Sequence, residues 1–167
     1  MLGSSRRRLL AAAMLSAFLL PAARGQENIA QLEAQFNREN DAARKVKVLR
    51  KLGDAQLEQM RKDTGDGNYA QALRTLERYR DEVRGAEAAL KATGVDAERK
   101  PGGFKQLQIQ VRKSLREVDQ TVLALPDSQR PPFEAIRLDL LRADKELIDL
   151  LFPRQPEKNS GKDKPKG

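Results

Sequence analysis

The sequence predicts an all-α protein, an antiparallel bundle of four or five helices. Apolar residues recur in steps of three and four along nearly the whole stretch from Ile29 to Leu151, the spacing that gathers them on one face of a helix. No window alternates apolar and polar residues long enough to suggest a strand. Glycine and proline punctuate the pattern at intervals that leave segments of helical length, joined by connections short enough to make consecutive helices antiparallel.

The earliest run takes in Ile29, Leu32, Phe36, Ala43, Val46, Leu49, Leu52, Leu57 and Met60. It reads as one long helix that Gly53-Asp54 bends or breaks, since a glycine inside a helix costs about 1 kcal/mol relative to alanine. The second stripe is Tyr69, Ala72, Leu73, Leu76, Tyr79, Val83, Ala86 and Leu90, with Gly94 as its stop. After the longest connection, G-V-D-A-E-R-K-P-G-G, the series resumes at Phe104 and continues through Leu107, Val111, Leu115, Val118, Val122 and Leu125 to Pro126. The last helix opens with D-S-Q-R-P-P-F-E, where Asp127 or Ser128 can accept hydrogen bonds from free amides and the prolines suit a first turn. Phe133, Ile136, Leu140, Ala143, Leu147, Leu150 and Leu151 then form its stripe, ended by Pro153. Tyr79 and Phe104 fall on stripes and read as core.

Both ends of the chain have a different character. Arg6 to Arg8, an apolar run from Leu9 to Leu20, Pro21, and small residues at Ala23 and Gly25 have the three-part layout of a secretory signal peptide. The expected mature chain begins at Gln26 and keeps 142 of the 167 residues, enough for one domain with a real core. The apolar run has 12 residues, whereas a stable membrane span takes about 20, so an uncleaved anchor is the less favoured reading. Ser5-Arg6-Arg7-Arg8-Leu9-Leu10 is also similar to a twin-arginine export signal. Either route predicts an exported, periplasmic or secreted protein. With no cysteine anywhere, neither a disulfide nor a lipid on an N-terminal cysteine holds it. The far end, residues 153–167, has three prolines and no apolar residue able to join a core, and it is expected to be a disordered basic tail.

A pI near 9.9 and a net charge of +8 suggest a nucleic-acid partner, but the charge is unevenly placed. Four arginines belong to the leader and three net positive charges to the tail, which leaves residues 26–152 at +1. Aromatic side chains are too few to build a stacking platform for bases. The expectation is therefore no nucleic acid and no transmembrane span in the mature protein. The densest basic cluster surrounds Arg44, Lys47 and Lys51, which share a helix face and form a candidate anion-binding site. This face and the tail lysines together suit an anionic envelope surface.

The stretch K-D-T-G-D-G-N-Y-A-Q-A-L, from Lys62 to Leu73, has the composition of either a calcium loop or a turn between helices. A calcium-binding EF-hand loop needs an oxygen ligand at its first position and glycine at its sixth. With Gly67 sixth the first position is Lys62, and with Gly65 sixth it is Met60, so both registers fail. As a turn the stretch works well: glycine gives backbone freedom, Asn68 can cap, and Tyr69, Ala72 and Leu76 begin the inner face of the next helix.

Leu52-Gly53, Gly67-Asn68-Tyr69, and Ala72 with Leu76 match the L-G, G-x-Y and A-x3-F elements of a repeat pattern, and on them the segment Leu49 to Arg84 resembles a tetratricopeptide-repeat unit. Leu49, Gln56 and Arg84 stand where that pattern has Trp, Tyr and Pro. The resemblance implies a helical hairpin of that kind.

Histidine and cysteine are both absent, which removes the commonest general base, the commonest transition-metal ligands and the thiol nucleophile. Ser114 follows Lys113, but neighbours on a helix diverge by about 100° and make a poor dyad. Most helix acids sit three or four residues from a base, as Asp81 with Arg84, Asp139 with Arg142, Arg142 with Glu146, and Lys145 with Asp149, the pattern of solvated faces. The sequence thus points to a non-enzymatic protein without cofactor that acts by contact with an envelope protein. The alternatives are a binder of anionic envelope surfaces and a hydrolase built on two carboxylates.

Overall fold

The computed structural model describes residues 21–153, with side chains from residue 28 onward. Five helices account for most of it: α1 (Pro21–Arg38), α2 (Ala42–Gly65), α3 (Tyr69–Ala92), α4 (Gly102–Ala124) and α5 (Arg130–Leu151). The first 20 residues of the expected signal peptide, and the tail from residue 154, lie outside the described residues.

Each helix boundary has a local cause. The long first run divides at Glu39-Asn40-Asp41, whereas the sequence suggested a bend or break at Gly53-Asp54. The carboxylate of Asp41 accepts from the amide of Arg44 at 2.8 Å, while the amide of Asp41 donates to the carboxylate of Glu39 at 2.9 Å. These two bonds satisfy amides that a helix start leaves free. The break resets the register, so Ala42 enters the core and Ala43 faces solvent.

α2 then runs unbroken through Gly53. That glycine allows close approach: a Cβ built on it would lie 2.6 Å from Cε2 of Tyr79 and 3.0 Å from Nε2 of Gln110.

The stretch after Lys62 is the end of α2 and a tight turn. Gly67 has φ +76°, and the amides of Asp66, Gly67 and Asn68 donate to the carbonyls of Lys62, Thr64 and Asp63. Asn68 caps α3 through its carbonyl, which accepts from Gln71 and Ala72, and its side chain makes no capping bond. At the other expected cap, Asp127 to Gln129 form a single 3-10 turn, and Asp127 pairs with Arg130 at 2.8 Å rather than capping α5. The prolines do occupy the first turn of α5.

Consecutive helices are antiparallel, and α2–α3 and α4–α5 are the two most extensive pairings. The two hairpins lie side by side. Asp54 of α2 meets Gln110 and Lys113 of α4, and Arg61 meets Glu117, so both helices advance together and are parallel. Likewise Arg84 of α3 meets Asp139 of α5, and Lys91 meets Glu146. α1 lies on the open side of the first hairpin, where Glu33 pairs with Arg78 of α3 and Phe36 is buried.

The core between the hairpins is formed by the predicted stripes. Leu49, Leu52, Met60, Leu76, Tyr79, Leu107, Phe133, Leu140 and Leu147 are all completely buried or nearly so. Each such side chain contributes about 1.5–3 kcal/mol relative to exposure.

Candidate functional site

Helical phase puts Arg44, Lys47 and Lys51 on the solvent side of α2, and all three are exposed. Arg44 is held by Glu39, its Nε 3.3 Å from the carboxylate. The hydrogen bond from the Asp41 amide, with Arg44 beside it, holds the carboxyl of Glu39 below its usual range. Lys47 and Lys51 have no acidic partner among the described residues. Lys45 leaves this face: its ammonium lies 4.7 Å from the centre of the Phe36 ring and donates to the carbonyl of Glu39 at 3.2 Å. The three predicted cations therefore share one exposed surface of α2.

A polar seam that the sequence did not suggest runs through the α1–α2–α3 side. Gln56 is 1% exposed on the α2 stripe between Leu52 and Met60, a position that the apolar neighbours normally claim. Its amide nitrogen reaches Glu33 of α1 at 3.5 Å, and its side chain is a polar neighbour of Glu82 of α3, while its amide oxygen is buried without a hydrogen-bond partner. Arg78 closes on Glu33 at 3.3 Å. Burial pushes the carboxyl of Glu82 up to about 7; Gln56 opposes the shift and the neighbouring charge of Glu33 adds to it. One carboxylate oxygen of Glu82 is buried without a hydrogen-bond partner.

Glu82 borders an open groove of about 430 Å³ whose other walls are Phe36, Asn37, Lys45, Arg78, Asp81 and Gly85. The groove thus presents one acid that can gain or lose a proton near neutral pH, flanked by two cations. Steps of four from Leu52 to Gln56 to Met60 were the available signal for this seam.

The remaining candidates separate cleanly. Ser114 is fully buried and donates to the carbonyl of Val111, while Lys113 is exposed and pairs with Asp54 at 2.8 Å, so the two sequence neighbours face different surroundings. Asp81–Arg84, Asp139–Arg142 and Lys145–Asp149 are paired as their spacing suggests. Glu146 turns from Arg142 to Lys91, which also contacts Glu87 at 2.6 Å. Burial raises the carboxyl of Glu87, and Lys91 holds that of Glu146 below its usual range.

Among the described residues seven large apolar side chains stay exposed, and four of them, Ile109, Leu123, Leu138 and Leu141, lie on the solvent face of the α4–α5 hairpin. Among the described residues, no helix is long and apolar enough to cross a membrane. Compared with protein-family models, with curated proteins and with solved structures, the chain matches none.

Proposed function

We propose that this is an exported, non-enzymatic interaction module that binds a protein partner of the bacterial envelope through the outer face of its second hairpin. The observation that carries the reading is the apolar row there: Leu123 is 77% exposed, and Ile109 and Leu138 are each 54% exposed. Helical phase turns Ile109 and Leu138 directly away from the core, and among the described residues no neighbour buries them. Exposed apolar groups gathered on one face mark a contact surface more often than chance scatter does. The signal-like start of the chain supports export. The resemblance of Leu49 to Arg84 to a tetratricopeptide unit supports a contact role, with α2 and α3 as that hairpin and a second hairpin stacked beside it.

The test uses a photo-crosslinking amino acid at position 138 in the native host, followed by capture of the adduct. One discrete heterologous adduct is expected, and Leu138→Glu with Leu141→Glu should abolish capture of that partner while leaving the melting temperature within a few degrees. Crosslinking to nothing, or undiminished capture by the doubly substituted chain, would refute the reading.

A further inference from the structure

Charge in the described chain is strongly divided. α2 carries seven lysines and arginines against three acids, and α4 four against two, so these helices together hold an excess of six positive charges. Residues 28–153 as a whole have an excess of only two, which leaves the remaining helices and loops with four net negative charges. The near-neutral body seen in the sequence is therefore a polarised one. Its positive side is produced by the fold, which lays α4 parallel to α2.

Register extends the basic face across both helices. The contacts from Asp54 and Arg61 place each α2 residue beside the α4 residue 56 to 59 positions later. Lys47 and Lys51 then stand level with Lys105 and Ile109, and Arg61 with Glu117. Lys47, Arg50, Lys51, Lys105 and Arg116 are all exposed and have no acidic partner among the described residues. From Lys47 to Arg61 the face runs roughly 21 Å at 1.5 Å per residue. Exposed Glu58 and the paired Asp54 and Glu117 interrupt this face, but the cations outnumber them, and cations spread over that length suit an extended array of anionic groups rather than one small ion.

We infer that the α2–α4 face docks the protein on an anionic phospholipid bilayer. Ile109 decides for lipid over a soluble polyanion: it is 54% exposed among these cations and can enter the headgroup layer, whereas a phosphate backbone offers it nothing. Basic side chains attract an anionic leaflet within about one Debye length, and these are exposed at matching levels on two adjacent helices. The sequence of the tail adds three net positive charges to the same polarity. This inference shares Ile109 with the partner-binding reading but otherwise uses different residues, the cations of α2 and α4 rather than Leu123, Leu138 and Leu141.

Vesicle co-sedimentation of the full chain tests it, with phosphatidylcholine alone and with phosphatidylglycerol added. Preferential binding to the anionic vesicles, weakened by salt, is expected. Lys47→Gln, Lys51→Gln, Lys105→Gln and Arg116→Gln together should lower that affinity at least tenfold without altering the melting temperature or the weak binding to neutral lipid that an apolar leader would cause. A companion chain with Lys158, Lys162, Lys164 and Lys166 changed to Gln should lose less. The chain has no tryptophan, so Ile109→Trp provides a single probe whose emission should shift to the blue on anionic vesicles. Undiminished binding by the face variant, loss confined to the tail variant, or no spectral shift at position 109 together with equally strong binding to heparin, would each overturn the bilayer assignment.

Discussion

Gly53 of α2 lies directly against the ring of Tyr79 of α3, so close that a Cβ on Gly53 would stand 2.6 Å from Cε2 of the tyrosine. The ring is completely buried and cannot move aside without displacing its neighbours. Burial pushes the titration of its hydroxyl upward; Ser114 and Gln110 are its polar neighbours, but it has no hydrogen bond of good geometry. The glycine thus trades helix propensity for a close approach within the first hairpin.

Two glycine-to-alanine substitutions separate these effects. Propensity alone favours alanine by about 1 kcal/mol at each interior helix position. At Gly85, in α3, the new Cβ would meet the Phe36 ring at 3.9 Å, an ordinary contact, so Gly85→Ala should stabilise by about 0.5–1 kcal/mol. Gly53→Ala should instead destabilise by about 1–2 kcal/mol, because overpacking outweighs the propensity gain. Urea melts of the two variants check the pair, and equal effects would mean that Gly53 is not a packing glycine.

Glu82 should make stability fall with rising pH. Its folded value is raised from 4.5 to about 7, so between those limits the folded state binds more protons than the unfolded one. The stability that Glu82 contributes is therefore fully present below about 4.5, declines through the window and is lost above about 7. The side chain is only part-buried, and solvent screening reduces the effect to on the order of 1–2 kcal/mol. Glu82→Gln should flatten this part of the profile and raise stability at alkaline pH. An unchanged slope in pH-dependent chemical denaturation would place the proton elsewhere.

Helical class and core were legible in the sequence because each apolar stripe has one buried face, and most residues that repeat at threes and fours are buried; Leu32, Tyr69 and Leu73, at the edges of their stripes, are only part-buried, and Leu150 is exposed. The boundary at Asp41 was not legible from the apolar pattern, which continues through it with Phe36 and Val46. Gly53 was misread because propensity describes an isolated helix, while its role is set by a tyrosine 26 positions further on. The same limit hid the seam of Glu33, Gln56 and Glu82, which exists only once three helices meet. Arg44, Lys47 and Lys51 were visible as one face from local phase, but their continuation onto Lys105 and Arg116 depends on α4 lying parallel to α2.

The close contact of α3 with its partners is tested at Ala72. This residue is fully buried, whereas Ala70, two positions earlier, is exposed. Ala72→Leu should overpack the interface and cost about 1–3 kcal/mol, and Ala70→Leu should stay within about 0.5 kcal/mol. Ala70 is a better reference than its neighbour Gln71, which is half-buried and accepts from Arg74 at 2.7 Å. Equal urea midpoints for the two leucine variants would remove Ala72 from the helix interface.

Asp63 gives the sharpest test of the turn that ends α2. Its carboxylate is 7% exposed in the last turn of the helix, where the carbonyl ends of the macrodipole disfavour negative charge. One oxygen accepts from Gln59 at 3.0 Å, and the other is buried without a partner. Asp63→Asn keeps an acceptor for Gln59 and removes the charge from the carbonyl end of the helix. It should stabilise the fold by about 0.5–1 kcal/mol, read as a higher melting temperature. Were Asp63 a calcium ligand, the same substitution would instead abolish a calcium-induced stabilisation, which for a ligand at 100 times its dissociation constant is about 2.7 kcal/mol. Melting the parent and the variant with calcium and with chelator distinguishes the two. The turn geometry predicts that neither melting temperature responds to calcium and that the variant's is the higher in both.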